Sequence, residues 1–236
     1  MVQASFTKAK GVVVEIVIDS SQLAAAQAMG MLKNKTLSGL LDKPFSDSLD
    51  KELQTAIGVG LARLDQLKPM NVSLILSVVY LMKNNREKLD QYKGLSLDAH
   101  FAAQGKKTMK NITALETIEE QMDLLFNKTT DEEQASQLKL FIRYKNEVVP
   151  MGDELLRHWF NHDLNGMYSI YKRSVAFSGE RDDLVKDRNN HWMKQLPGLL
   201  SKESQFIAVG ALHLAGADGL VKQLEQSGYT VTPVKL

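Results

Sequence analysis

Phe206-Ile207-Ala208-Val209-Gly210-Ala211-Leu212-His213, followed by Leu214-Ala215-Gly216-Ala217-Asp218-Gly219, is the stretch on which the fold turns. A short apolar run opens directly onto a histidine, and a glycine-rich turn follows. An amphipathic stretch from Leu220 to Gln226 comes next, and a second short run, Tyr229-Thr230-Val231-Thr232-Pro233-Val234, lies near the end of the sequence. The pattern predicts strand, histidine-bearing turn, helix and strand. Side chains just past the end of a buried strand point into the crevice where α/β proteins bind ligands. An imidazole placed there can bind a metal, move a proton or polarise a substrate.

Working outward, Gly11 to Ile18 is dense in β-branched residues and reads as a buried strand. Ser20 or Ser21 is then expected to cap a helix running to about Asn34. Helical periodicity continues over Ser48 to Leu67 and Asn71 to Lys83, with a break at Lys68-Pro69, and over Gly94 to Gln104, ending at Gly105. Thr108 to Leu115 reads as a second strand. Helices are expected at Ile118 to Asn127, Asp131 to Asn146, Gly152 to Asn161, Leu164 to Phe177 and Glu180 to Leu200.

Strand signals therefore lie early, in the middle and at the very end. A short strand is not stable alone. The expected fold is α/β (an α+β composite), with one central sheet built from N-terminal, middle and C-terminal strands. Large helical insertions, at about 37–93 and 117–200, would pack over that sheet. No Pro/Ser/Gly-rich linker marks a boundary, so residues 1–236 are expected to form a single domain.

Composition narrows the function classes. With 236 residues, 44% of them hydrophobic and 24% charged, the chain is long enough for a sizeable core. A formal net charge of +1, without basic clusters among aromatics, gives no reason to expect nucleic acid as a partner. The absence of cysteine excludes disulfides and thiolate chemistry. The richest apolar run, Val72 to Met82, is interrupted by Ser73, Ser77 and Tyr80, so no membrane span is expected. The first residues, Met-Val-Gln-Ala-Ser-Phe-Thr-Lys, lack the apolar core of a signal peptide, and the compartment stays open.

Glu15 is the least expected residue, a carboxylate amid Val12, Val13, Val14, Ile16, Val17 and Ile18. Burying it ionised is expensive unless it is paired or metal-bound. It is therefore a metal ligand, a proton-transfer group or the partner of an active-site base. The plainer reading is an edge-strand acid, or one paired with an arginine such as Arg188. Glu116 follows the second strand and precedes a helix, so it either points into the same crevice as His213 or caps that helix in Glu-Thr-Ile-Glu-Glu. Arg188 and Asn189 are suited to steadying charge on a substrate oxygen or clamping a carboxylate. Their structural alternative pairs Arg188 with Asp183 or Glu15, with Trp192 as core. His158 and His162 share the four-residue spacing of a helical metal pair, but Trp159 stands where H-E-x-x-H needs glutamate, so a solvated helix face near Asp163 is expected. His100 and His191 have no distinctive spacing.

Several motifs, in order, resemble the TraB/GumN family, which includes pheromone-shutdown proteins and the Tiki proteases. Val13-Val14-Glu15-Ile16 resembles its acidic strand. Asp98-x-His100-Phe101, Gly105-Lys106 and Leu115-Glu116-Thr117 resemble its central motif, and Arg188-Asn189-x-x-Trp192 its late helix motif. Gly210-x-x-His213, with Leu214, Gly216, Asp218-Gly219-Leu220 and Gly228-Tyr229-x-Val231, resembles its C-terminal signature. The resemblance implies a metal-dependent hydrolase of the peptidase kind. A divalent ion (manganese, cobalt or zinc) would be held by His213 and one or both of Glu116 and Glu15, the remaining carboxylate would act as base, and Arg188 or Asn189 would steady the oxyanion. It implies as the alternative a non-catalytic regulatory protein that holds a peptide or small-molecule ligand in the same crevice.

One departure stands out. The family pattern has two G-x-x-H motifs, and this sequence has one, at Gly210. The expectation is either a longer protein in which a first G-x-x-H strand precedes this sequence, or a shortened member. The resemblance also implies that a longer form is exported, to the periplasm or cell envelope.

Overall fold

The computed structural model describes residues 2–19, 21–90, 96–178 and 182–234. Three short strands, β1 (Gly11–Val14), β2 (Asn111–Ala114) and β3 (Gln205–Ala208), form one parallel sheet in the order β2-β1-β3. They come from the beginning, middle and end of the chain, as their apolar runs predict. The architecture is α/β, with many helices packed around the sheet.

β1 is the central strand, and all four of its residues are buried. A parallel strand covered on both faces has no solvent side, which is why Gly-Val-Val-Val is an uninterrupted apolar run. The alternation shows in what each residue touches. Val12 and Val14 pack with Phe6, Phe101 and Ala102, from the helices Val2–Lys8 and Leu97–Lys107. Val13 faces the other way, onto Leu115, Trp192, Leu196 and Leu220. Burying each valine is worth about 1.5–3 kcal/mol, so β1 ties the helices on both faces together. Gly105 lies inside the helix Leu97–Lys107 rather than ending it; a Cβ there would come within 3.1 Å of Val12. A second core lies among the helices Lys43–Ile57, Pro69–Asn84 and Asp131–Arg143, where Leu49, Leu53, Val72, Leu76 and Leu138 are fully buried.

Several boundaries differ from the sequence expectations for identifiable reasons. β1 stops at Val14, and Ile18, expected inside the strand, is half exposed. The helix expected from Ser48 starts five residues earlier, at Lys43, because the Asp42 carboxylate accepts the Phe45 N–H and Pro44 sits in the first turn. It ends at Ile57 because Gly58 takes a left-handed φ of 75°. The stretch beyond 182, expected to be one helix to Leu200, breaks into Lys186–Trp192 and Leu196–Lys202, the second restarted with Pro197 in its first turn. Tyr229 to Val234 forms no strand: the Tyr229 N–H returns to the Leu224 carbonyl, and Pro233 has no N–H for a ladder. The expected starts at Ser20, Gly94 and Glu180 lie outside the described residues. Among the described residues, no helix is long and apolar enough to cross a membrane.

The strands end level. Val14 stands opposite Ala114 on one side and Ala208 on the other. Glu15, Glu116 and Gly210 come just after those ends.

Candidate functional site

Backbone pairing brings the two carboxylates side by side. The Leu115 N–H donates to the Val14 carbonyl at 3.0 Å, and the Glu116 N–H to the Glu15 carbonyl at 3.0 Å. Glu116 then precedes the helix Ile118–Phe126, whose cap is Thr117. The Thr117 hydroxyl accepts the Glu120 N–H at 3.1 Å, and the Glu120 carboxylate accepts the Thr117 N–H at 2.7 Å. This reciprocal capping box takes the capping role offered to Glu116 by the sequence and leaves its carboxylate to face the crevice. On the other side, the Gly210 N–H donates to Glu15 Oε1 at 2.6 Å, tying the end of β1 to the end of β3. A Cβ on Gly210 would stand 3.1 Å from that oxygen. The chain then turns through a short 3-10 helix, Ala211–Leu214, which carries His213.

Arg188, on the helix Lys186–Trp192, reaches into the centre of this group. Its Nη2 donates to Glu15 Oε2 at 2.6 Å and to Glu116 Oε1, while Nε lies 2.9 and 3.2 Å from the two Glu116 oxygens. Its Nη1 donates to His213 Nε2 at 3.0 Å and to the Leu184 carbonyl at 3.2 Å. A guanidinium has five N–H groups, and all five are engaged. Burial opposes its charge, but the hydrogen bonds and charges of Glu116 and Glu15 outweigh burial and raise its pKa. Its carbon lies 4.9 Å from the centre of the Trp192 ring.

His213 is held from behind by Asn189, which is fully buried. Asn189 Nδ2 donates to the carbonyls of His213 at 3.1 Å and Asp218 at 2.7 Å. Those two acceptors fix the amide's orientation, so Oδ1 is the atom 2.7 Å from His213 Nδ1. An amide oxygen only accepts, so Nδ1 carries the proton and Nε2 presents its lone pair to Arg188. Burial, followed by the charge of Arg188, pushes the His213 pKa down to about 3. The imidazole is therefore neutral at pH 7, with its ring centre 4.3 Å from that of Trp192.

Glu15, Glu116, Arg188, Asn189 and His213, singled out from sequence, thus form one connected cluster. Arg188 pairs with Glu15, one of its two expected partners, and with Glu116, which was not among them. Asn189 holds His213 instead of facing the crevice. Among the described residues, no three histidine, aspartate or glutamate side chains stand close enough to hold a metal ion as they are arranged. The Arg188 guanidinium lies between the two carboxylates and the imidazole. His158 bonds Asp163 at 2.8 Å, and His162 lies past the helix end in a left-handed conformation, so the two do not share a helix face. His100 packs edge-on against Phe101, and His191 is exposed.

Two contributors escaped the sequence reading. Gln121 Nε2 donates to Glu116 Oε1 at 3.1 Å and reaches Glu15 Oε2 at 3.4 Å. Trp192, read only as core, also forms the wall behind both Arg188 and His213. The signal for Gln121 was its place one turn into a helix that starts at the strand ends.

A parallel sheet whose strand ends carry a carboxylate–guanidinium–imidazole cluster marks an α/β protein with a polar crevice at its switch point. Compared with models of known families, the chain matches the TraB/PrgY/gumN family over residues 1–233, essentially its whole length, and it belongs to that family. No curated protein and no solved structure matches it.

Proposed function

We propose that the chain is a hydrolase that cleaves a peptide or a related carbonyl compound, using a divalent cation of the manganese, cobalt or zinc kind. His213 and one of Glu15 and Glu116 would hold the ion, leaving the other carboxylate free to act as base. One observation carries this reading: four ionisable or basic side chains, from four separated segments, converge on one shielded point at the C-terminal ends of parallel strands. The donors suit such ions chemically, with carboxylate oxygens and an imidazole that is already neutral. These same atoms grip the Arg188 guanidinium, so an ion and Arg188 compete for one set of donors.

When bound, such an ion supplies Lewis acidity. The remaining work belongs to the chain's own groups. A carboxylate released by Arg188 accepts the proton of an attacking water. The freed guanidinium, with several N–H donors, neutralises the developing oxyanion. Asn189 positions His213 by fixing its tautomer, so that Nε2 and not Nδ1 faces the crevice.

A second reading, a binding or regulatory protein that holds a peptide without turnover, is favoured by the engagement of every Arg188 N–H. Titration calorimetry with Mn²⁺, Co²⁺ and Zn²⁺, together with a peptide-library cleavage screen, separates the two. The hydrolase reading expects saturable ion binding and ion-dependent cleavage, both lost in His213→Ala and Glu116→Ala. Peptide binding that persists in chelator, without cleavage, would favour the second.

A further inference from the structure

Away from the crevice, the helices Pro69–Asn84, Lys145–Phe160 and Leu164–Ser178 line a half-open cavity of about 220 Å³. Its origin can be read in Val149-Pro150-Met151-Gly152. Pro150 has no N–H to continue the helix ladder, and Gly152 offers no side chain where its helix faces Leu81. A Cβ on Gly152 would meet only Leu81 Cδ1, at 3.6 Å. The space that a larger residue would fill is left open.

None of the residues lining the cavity is charged. Its walls come chiefly from Leu81, Val149, Met151, Leu155, Ile170 and Phe141. Three of its hydroxyls are engaged elsewhere. Ser77 donates to the Ser73 carbonyl at 2.8 Å, Ser174 to the Tyr171 carbonyl at 2.7 Å, and Tyr80 to the Glu52 carboxylate. A polar or charged ligand would therefore lose its water and gain little in return. An apolar cavity of about 150 Å³ takes up benzene, so this one has room for a ring with a short substituent. Ser77, which lines the cavity, is exposed and marks its open side.

We infer that this cavity is a binding site for a small uncharged apolar molecule, the size of a substituted benzene or a short branched hydrocarbon chain. It is separate from the polar crevice but touches it through one residue. Leu212 forms part of the cavity wall, and the next residue is His213.

Fluorobenzene serves as the probe, followed by ¹⁹F NMR on the intact protein. The expected result is saturable line broadening reversed by toluene, but not by benzoate or benzylamine, with shifts in the Leu212 methyl signals. Gly152→Leu, which grows a side chain into the cavity, should weaken binding at least tenfold while the circular dichroism spectrum stays native. Ser77→Phe, at the exposed rim, should do the same and decides the matter if Gly152→Leu does not fold. No saturable broadening, equal competition by benzoate, or undiminished binding in a folded variant would overturn the inference.

Discussion

One amide holds His213 by both its ring and its backbone. Asn189 Oδ1 receives the imidazole Nδ1–H at 2.7 Å, and Asn189 Nδ2 donates to the His213 carbonyl at 3.1 Å. The third contact, to the Asp218 carbonyl at 2.7 Å, anchors the amide to the glycine-rich turn that follows. Ring, turn and helix are thereby fixed relative to one another, although only the imidazole edge reaches the crevice.

Acid should weaken the fold through this residue. His213 stays neutral in the folded chain down to about pH 3, whereas an ordinary histidine ionises near 6.5, so between those values the unfolded chain binds more protons. The stabilisation by neutral His213 is present above pH 6.5 and lost as the pH falls towards 3. Between pH 7 and pH 5 the loss is about 2 kcal/mol. Urea unfolding at several pH values should show this extra loss in the natural chain but not in His213→Gln. Parallel curves would exclude His213 as the source.

Asn189→Asp tests the tautomer. A carboxylate opposite Nδ1 stabilises the imidazolium, so the His213 pKa should rise by about one unit or more. The carbonyls of His213 and Asp218 lose a donor, which lowers stability by about 1–3 kcal/mol. NMR titration of the His213 ring proton measures the first effect and chemical denaturation the second. An unmoved titration would contradict the geometry.

Removing the guanidinium should be costly in a specific way. Arg188→Met leaves the shielded Glu15 and Glu116 without their cation, an arrangement that destabilises proteins by about 3–5 kcal/mol. It also frees both carboxylates and His213 Nε2. Adding Mn²⁺ or Zn²⁺ should therefore raise the Tm of the variant more than that of the natural chain, since binding to the folded state stabilises it. Equal responses would count against competition between Arg188 and an ion.

Two glycines should respond oppositely to alanine. At Gly219 a Cβ would lie 2.4 Å from the Ala215 carbonyl oxygen and 2.5 Å from that of Leu214, both backbone atoms. Gly219→Ala should cost about 1–3 kcal/mol. At Gly198, inside the helix Leu196–Lys202, a Cβ would meet nothing within 4 Å, so Gly198→Ala should stabilise by about 0.4–1 kcal/mol. Thermal melts of the two variants suffice.

What the sequence disclosed and what it hid follow from the range of the forces involved. Gly-Val-Val-Val reads as a buried strand because both of its faces must be apolar, and Glu15 stands out for the same reason. The final run, Tyr229 to Val234, has strand-forming residues, but a strand also requires an unpaired neighbour at the right place, which is a tertiary fact. The helix start at Lys43 was written in Asp42 and Pro44, and its end in Gly58, local signals that the periodicity of the leucines overrode. That Arg188 would meet Glu116 as well as Glu15 was not legible, since it depends on the crossing of a late helix over the strand ends. Thr117 and Glu120 were the readable clue: once they cap each other, Glu116 is left without a local partner.

The order of assembly on the ribosome follows from the position of β1 between its two neighbours. Lys10 and Ser204, hydrogen-bonded at its margin, are 194 positions apart, so one flank of the central strand is supplied long after the strand itself. At about 5–20 residues per second, Val13, whose face is closed by Trp192, Leu196 and Leu220, waits about 10–40 s for that cover. The leucine-rich helical core is encoded by Leu138 and can consolidate well before then. Stalled nascent chains ending before Gln205 should accordingly be cut by protease near Val12, and chains carrying β3 clear of the tunnel should resist. This strand is thus made long before one of its faces is sheltered, which makes it a segment for a chaperone to guard.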